Sequence, residues 1–250
     1  MKKVLILFLF LSLSVFATDI SNPFMEGNDY YGKGNYEAAI ANYESILARG
    51  QQSAELYFNL GNSYYKLHKV APAIYNYEKA LLLNPDNEEV KTNLEFAQKL
   101  KIDDIKEFPK VGFSKLIQDV TSSFNYDSWA WIAVVFAFVF LAFFVGYYFS
   151  NTAILKKIYF TGMFVVFILI VCTVTAGILE KNRFYNDKPA IVFAEITLLK
   201  NQPYSSGKTL FTLHEGTKVA VLETKFNWKK VQLSDETVGW IESDAIKELK

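Results

Sequence analysis

Cysteine and histidine are scarce in this chain, and neither sign of charge is in excess. One cysteine, Cys172, and two histidines, His68 and His214, occur among 250 residues. A single thiol forms no intramolecular disulfide, and Cys172 lies inside an apolar run. Packing is therefore its expected role, rather than redox chemistry. The two histidines are far apart, and neither has a metal-ligand spacing to a cysteine. There is no glycine-rich phosphate loop and no Gly-x-Ser-x-Gly elbow. Lys plus Arg and Asp plus Glu both number 26, so the net charge is zero. Nucleic acid has no basic patch to bind, and no acidic tail marks a disordered segment. Together these absences direct expectation away from an enzyme and from any cofactor.

Apolar residues, by contrast, are abundant and unevenly placed. They make up 51% of the chain, with 22 phenylalanines, and concentrate at the N-terminus and in the middle. Met1-Lys2-Lys3 is a basic start, and Val4 to Phe16 is apolar apart from two serines. Val15-Phe16-Ala17 has the residues of a cleavage site. Residues 1–17 thus read as a secretory signal, either removed or kept as an anchor. In both cases the chain after Ala17 begins outside the cytoplasm.

Residues 20–100 repeat themselves at a shift of 34. Gly27, Asn28, Tyr30 and Tyr31 fall on Gly61, Asn62, Tyr64 and Tyr65. Ala39, Ile40, Asn42, Tyr43 and Glu44 fall on Ala73, Ile74, Asn76, Tyr77 and Glu78. That period is the helix–turn–helix tetratricopeptide repeat, with copies at 20–53 and 54–87. Gly61 and Ala73 are small where helices approach, and Tyr64, Tyr77 and Leu81 fill the space around them. Asn84-Pro85 ends the second helix. Gly34-Asn35 makes the first turn, and His68 stands at the equivalent place in the second. Glu88 to Leu100 reads as a closing helix, with Val90, Leu94 and Ala97 on one face, extended by Ile102. Two repeats and a cap are few for such an array, so a partner or the membrane-side segment is expected to complete it.

Resemblance to this repeat implies a protein-binding groove lined by Phe24, Asn28, Tyr31, Phe58, Asn62, Tyr65 and Lys66. Tyr31 and Tyr65 are equally readable as core. Asn28 and Asn59 match two members of the carboxylate clamp found in some such domains. Phe24, Glu89 and Asn93 stand where its basic residues belong.

Trp129 to Phe149 and Ile158 to Leu179 each run without a charge, and about 20 residues suffice to cross a bilayer as a helix. The expected spans are 128–149 and 158–179, joined by a cytoplasmic loop at 150–157 with Lys156 and Lys157. No ionisable group lies at mid-span, which argues against an ion pathway. Trp129, Trp131, Tyr147, Tyr148 and Tyr159 sit near the ends, where amphipathic rings prefer the interface. Within the 101–127 linker, Phe113, Leu116, Ile117, Val120 and Phe124 recur at helical spacing. This is either a helix on the membrane surface or a further packing helix of the array. Pro109 and Gly112 mark the break before it.

Residues 186–250 change to short strands, at 218–222, 228–233 and 238–241, with a turn at 234–236. About five strands in this length suggest a small all-β barrel. Leu199-Lys200 through Pro203, Glu215-Gly216-Thr217, Trp228 and Gly239-Trp240-Ile241 resemble the bacterial SH3 domain. That resemblance implies a ligand surface at Tyr204, Trp228 and Trp240, although both tryptophans are also readable as core.

Signal, repeat pair, amphipathic helix, two spans and SH3-like domain, in that order, resemble the BatE family of the Bacteroides aerotolerance operon group. The fold class is thus a multidomain membrane protein: α-helical tetratricopeptide array, transmembrane helical hairpin and small all-β SH3-like barrel. The resemblance implies a scaffold in the bacterial inner membrane with both soluble domains on the periplasmic side. Its implied partners are membrane proteins with von Willebrand A domains. A cell-wall sensor that binds peptidoglycan and a transporter accessory subunit are the alternatives.

Overall fold

The structure, a computed structural model, describes residues 21–106 and 112–250. The expected signal at 1–17 and Pro109 fall outside these residues. The chain divides into two compact units, one built from residues up to 105 with 189–233 and 237–250, the other from residues 106–188 with 234–236.

In the first unit, five helices run in sequence: α1 Ser21–Gly32, α2 Tyr36–Ala48, α3 Ala54–Lys66, α4 Val70–Leu83 and α5 Glu88–Gln98. Local chemistry starts most of them. The side chains of Asn35, Ser53 and Asn87 accept backbone N–H bonds from the first turns of α2, α3 and α5, satisfying donors that would otherwise be orphaned. Lys69, before α4, offers no such cap. Gly34 and His68 both hold a positive φ, 77° and 57°, in the turns before α2 and α4. An L side chain in that region costs roughly 1–2 kcal/mol.

The repeat builds one joint twice. A Cβ on Gly27 would stand 2.4 Å from the Tyr43 ring, and one on Gly61 would stand 2.7 Å from the Tyr77 ring. Each tyrosine hydroxyl then donates at 2.7 Å to an asparagine oxygen, Tyr43 to Asn28 and Tyr77 to Asn62. The same oxygens accept a second bond from Asn59, at 3.0 Å, and from Asn93, at 2.8 Å. One carbonyl thereby ties α1, α2 and α3; its counterpart ties α3, α4 and α5. On α5, Val90, Leu94 and Ala97 are buried, but Ile102 is exposed and does not continue that face. The helix has ended four residues earlier.

The sheet has seven strands: β1 Pro189–Val192, β2 Ile196–Lys200, β3 Thr209–His214, β4 Lys218–Lys225, β5 Trp228–Gln232, β6 Val238–Glu242 and β7 Ile246–Glu248. Their order is β3-β2-β6-β5-β4-β1-β7, with every pair antiparallel. Register shifts at Leu199/Lys200 and Val221/Glu223 bend it. Val192, Leu199, Leu213, Val219, Val231 and Ile241 form its core.

The sheet also packs on the repeats. Ile191 and Leu249 are fully buried in one cluster with Tyr57, Ala71, Ile74 and Tyr75. Lys218 reaches both oxygens of the buried Glu78 at 2.8 Å. Lys79 and Tyr75 donate to the carbonyls of Leu249 and Glu248, and the Lys247 ammonium lies 4.4 Å from the Tyr75 ring centre. Glu215 accepts the Ala71 N–H at 3.4 Å, so the cap missing from α4 comes from the sheet. The segment after α5 is pinned as well. Asp103 accepts the His214 N–H and the Thr217 hydroxyl, both at 2.7 Å, and its other oxygen lies 2.7 Å from His214 Nδ1.

The second unit holds α6 Phe113–Thr121, α7 Tyr126–Phe149 and α8 Ala153–Asn186. Both α7 and α8 are long and apolar enough to cross a membrane. The connection expected at 150–157 is shorter, because α8 already begins at Ala153 and carries Lys156 and Lys157 in its opening turns. Past Leu179, α8 continues through Lys181 and Arg183, good helix formers with no proline to stop them. Small residues bring the two helices together: Ala133 and Ala176 are buried, and a Cβ on Gly146 would lie 2.8 Å from the Tyr159 ring. The hydroxyls of Thr173 and Thr175 bond carbonyls of their own helix.

Candidate functional site

A pocket of about 350 Å³ opens among the odd-numbered helices of the repeats, lined by Tyr31, Asn62, Tyr65, Lys66, Glu89, Asn93 and Phe96. Tyr31 ends α1, Asn62, Tyr65 and Lys66 follow one another along α3, and the remainder come from α5. The two joints position these helices: Asn28 ties α1 to α3 through Asn59, and Asn62 ties α3 to α5 through Asn93.

Of the residues the sequence assigns to a groove, four meet here: Tyr31, Asn62, Tyr65 and Lys66. Tyr31 and Tyr65 serve twice, lining the pocket while packing against the core. The Tyr31 ring meets Tyr36 edge-on at 5.3 Å, and its phenol is held above its ordinary pKa, first by burial and then by the charge of Tyr36. Asn28 is used in the first joint. Phe58 leans on Tyr77, with ring centres 6.1 Å apart, and packs against the core. Phe24 lines a different pocket, of about 290 Å³, with Ile46, Gln52 and Leu56. The two residues that match the carboxylate clamp are bonded to each other, Asn59 donating to Asn28.

Among the lining residues, the sequence assigns Phe96 no role, and it marks Glu89 and Asn93 only as departures from the carboxylate clamp, not as groove contacts. A signal existed for Asn93: Asn28 and Asn59 are 31 residues apart, and so are Asn62 and Asn93.

Chemically the pocket is a mixed surface. Two phenols, two amides, one ammonium, one carboxylate and the exposed Phe96 ring can hydrogen-bond an extended peptide and shelter one apolar side chain. The joint phenols stay neutral. Burial, foremost, pushes Tyr43 up to about 12 and raises Tyr77 further. Tyr64 is raised too, first by burial and then by donating to the Glu44 carboxylate. Among the described residues, no group of three or more His, Cys, Asp or Glu is placed to hold a metal ion.

On the sheet, Trp228 is buried, and the Lys200 ammonium lies 5.6 Å from its ring centre. Lys200 itself is buried and donates to the Ser205 carbonyl. Trp240, half-buried, pairs in register with Lys200. Tyr204 is exposed in the loop that follows β2. Trp228 is thus occupied by core contacts, while Tyr204 and the edge of Trp240 remain accessible.

Comparison with known proteins agrees with the helical part. Residues 27–68 match a family described as TPR repeat, and residues 54–87 one described as Tetratricopeptide repeat. No curated protein matches the chain.

Proposed function

We propose that this chain is a non-catalytic, membrane-anchored scaffold whose repeat groove holds an extended segment of a partner protein. The pocket shared by α1, α3 and α5 carries this reading. It gathers backbone-competent amides and phenols with one charge of each sign, and it lies between helices that the Asn28 and Asn62 joints tie together. Such preorganisation lowers the ordering cost of binding.

The apolar α7–α8 hairpin is the anchor, in the inner membrane of a bacterium. An export signal read at residues 1–17, together with two crossings, supports a periplasmic position for both the repeats and the sheet. The bulged seven-stranded sheet, with Lys200, Trp228 and Gly239-Trp240, is read as an SH3-like domain. Module order favours a Bat-type complex, with von Willebrand A-domain membrane proteins as partners. Tyr204 and Trp240 keep a peptidoglycan-binding reading as the alternative.

Affinity purification from native membranes in mild detergent tests this, comparing wild type with Tyr65→Ala/Lys66→Glu. Both residues face the pocket and neither forms the joint. The scaffold reading expects von Willebrand A-domain proteins with the wild type and their loss with the double variant. Retention of those proteins by the variant overturns the groove assignment. Recovery of wall fragments in their place transfers the function to the sheet.

A further inference from the structure

Helix α6 carries apolar side chains that the described residues leave largely uncovered. Phe113, Leu116 and Val120 are 75%, 60% and 54% exposed. At 3.6 residues per turn they share one stripe with Ile117, while Lys115, Gln118 and Asp119 take the opposite side. A third side is fastened. Thr121 is buried, its carbonyl accepts Trp129 Nε1 at 2.9 Å, and its hydroxyl accepts Arg183 Nη2 at 3.1 Å. Thr121 lies roughly a quarter turn from the centre of the stripe. The fastening therefore leaves the apolar and polar sides facing opposite ways.

The fastening also sets a level. Trp129, Arg183, Tyr126 and Phe184 belong to one end of the α7–α8 hairpin. There the Phe124 ring meets Trp129 at 5.3 Å and Tyr126 meets Phe184 at 5.6 Å. Tyr147, Tyr159 and Lys156 mark the other end, with Lys156 placed 5.8 Å from the Tyr147 ring centre. From Trp129 to Tyr147 the α-helical rise is about 27 Å, close to the ~30 Å of a hydrocarbon core. Rings with a polar handle settle at the two boundaries of that core. Helix α6 is bolted to one such boundary.

We propose that α6 lies in the bilayer surface, with Phe113, Leu116, Ile117 and Val120 among the acyl chains and Lys115, Gln118 and Asp119 in water. This rests on the membrane reading of α7 and α8. The lipid is recognised through apolar area, because Lys115 and Asp119 cancel within the helix. Anionic headgroups are not required.

The test uses the full chain, with Cys172→Ala, in phosphatidylcholine nanodiscs. Single cysteines replace residues 113, 115, 116, 118, 119 and 120 in turn, plus Phe138→Cys on α7, and each carries a nitroxide. Access to oxygen, which concentrates in lipid, is compared with access to an aqueous nickel chelate. The expected pattern favours oxygen several-fold at 113, 116 and 120 and nickel at 115, 118 and 119. It is unchanged when phosphatidylglycerol is added. Nickel access at every α6 position overturns the proposal. Shielding of the stripe from both reagents also overturns it and points to a protein cover. A pattern that appears only with phosphatidylglycerol overturns the apolar mode of binding. The label at 138 separates the two levels: if it reads lipid, only α6 fails; if it reads water, the membrane reading fails with it.

Discussion

In the first repeat, Gly34 makes the turn, Asn35 caps α2, and Ala39, Ile40, Tyr43 and Ile46 form a core with Leu56 and Leu60 of the adjacent α3. In the second, His68 makes the turn in a strained conformation and Lys69 supplies no cap. Yet α4 is the helix against which Ile191 and Leu249 are buried, and Glu215 caps it from the sheet. Both repeats build the same Gly–Tyr–Asn joint. They differ in where the remaining stability comes from: local signals in one, contacts distant in sequence in the other. A repeat can shed its own stop and start signals when another element holds its helix in place.

The sharpest way to break this contrast is to crowd both joints. Gly27→Ala and Gly61→Ala each push a methyl group into a tyrosine ring, and overpacking of this kind costs about 1–3 kcal/mol. The contact at Gly27 is the tighter, so distance alone ranks it worse. If the sheet clamps α4 while α2 is free to shift, Gly61→Ala loses more. Hydrogen exchange on α2 and α4 measures both variants, and an equal loss would remove the contrast.

A smaller effect is expected at Asp103. Burial alone would raise its carboxyl pKa. The His214 N–H, the Thr217 hydroxyl and the His214 ring outweigh burial and bring it below the ordinary value. A depressed folded pKa contributes stability that is present above the unfolded value, near 3.9, and lost as pH falls through the folded one. Asp103→Asn should therefore cost about 1–2 kcal/mol at neutral pH. The gap to wild type should narrow below about pH 4. Thermal unfolding across pH checks it; a gap independent of pH would mean that the charge is immaterial.

The smallest change expected is a gain. His68→Gly relieves the positive φ and should stabilise α4 by about 0.5–1 kcal/mol, read as slower exchange in its first turn. No gain would show that the His68 side chain compensates for its backbone.

The period of 34 made Gly27, Gly61, Tyr43 and Tyr77 legible, because a joint used twice leaves its residues twice. The same duplication brought Asn28 and Asn62 to notice but not their use. Polar residues on the first helix of a repeat look like groove contacts until a hydroxyl 15 residues later is seen to need an acceptor. The union of sheet and repeats left no such trace. Tyr75, Glu78 and Lys79 sit on what reads as the solvated face of α4, and their partners lie at the far end of the chain, past the apolar hairpin. Strands β1, β2, β3 and β7 escaped notice for a related reason: β1 and β7 are too short to show alternation, and β2 and β3 do not alternate in burial. The hairpin was plain from hydropathy, whereas the reach of α8 beyond its apolar stretch was not, since charges neither stop a helix nor announce that it continues.

A repeating structure must also know when to stop counting. The positions held by Gly27-Asn28 in the first copy and Gly61-Asn62 in the second are held in α5 by Glu95-Phe96. A carboxylate-bearing side chain now stands where a tyrosine ring would have to lie, and a phenyl ring stands where its hydroxyl would look for an acceptor. The Gly–Tyr–Asn joint therefore has no third set of residues on α5, and Phe96 becomes a wall of the pocket instead.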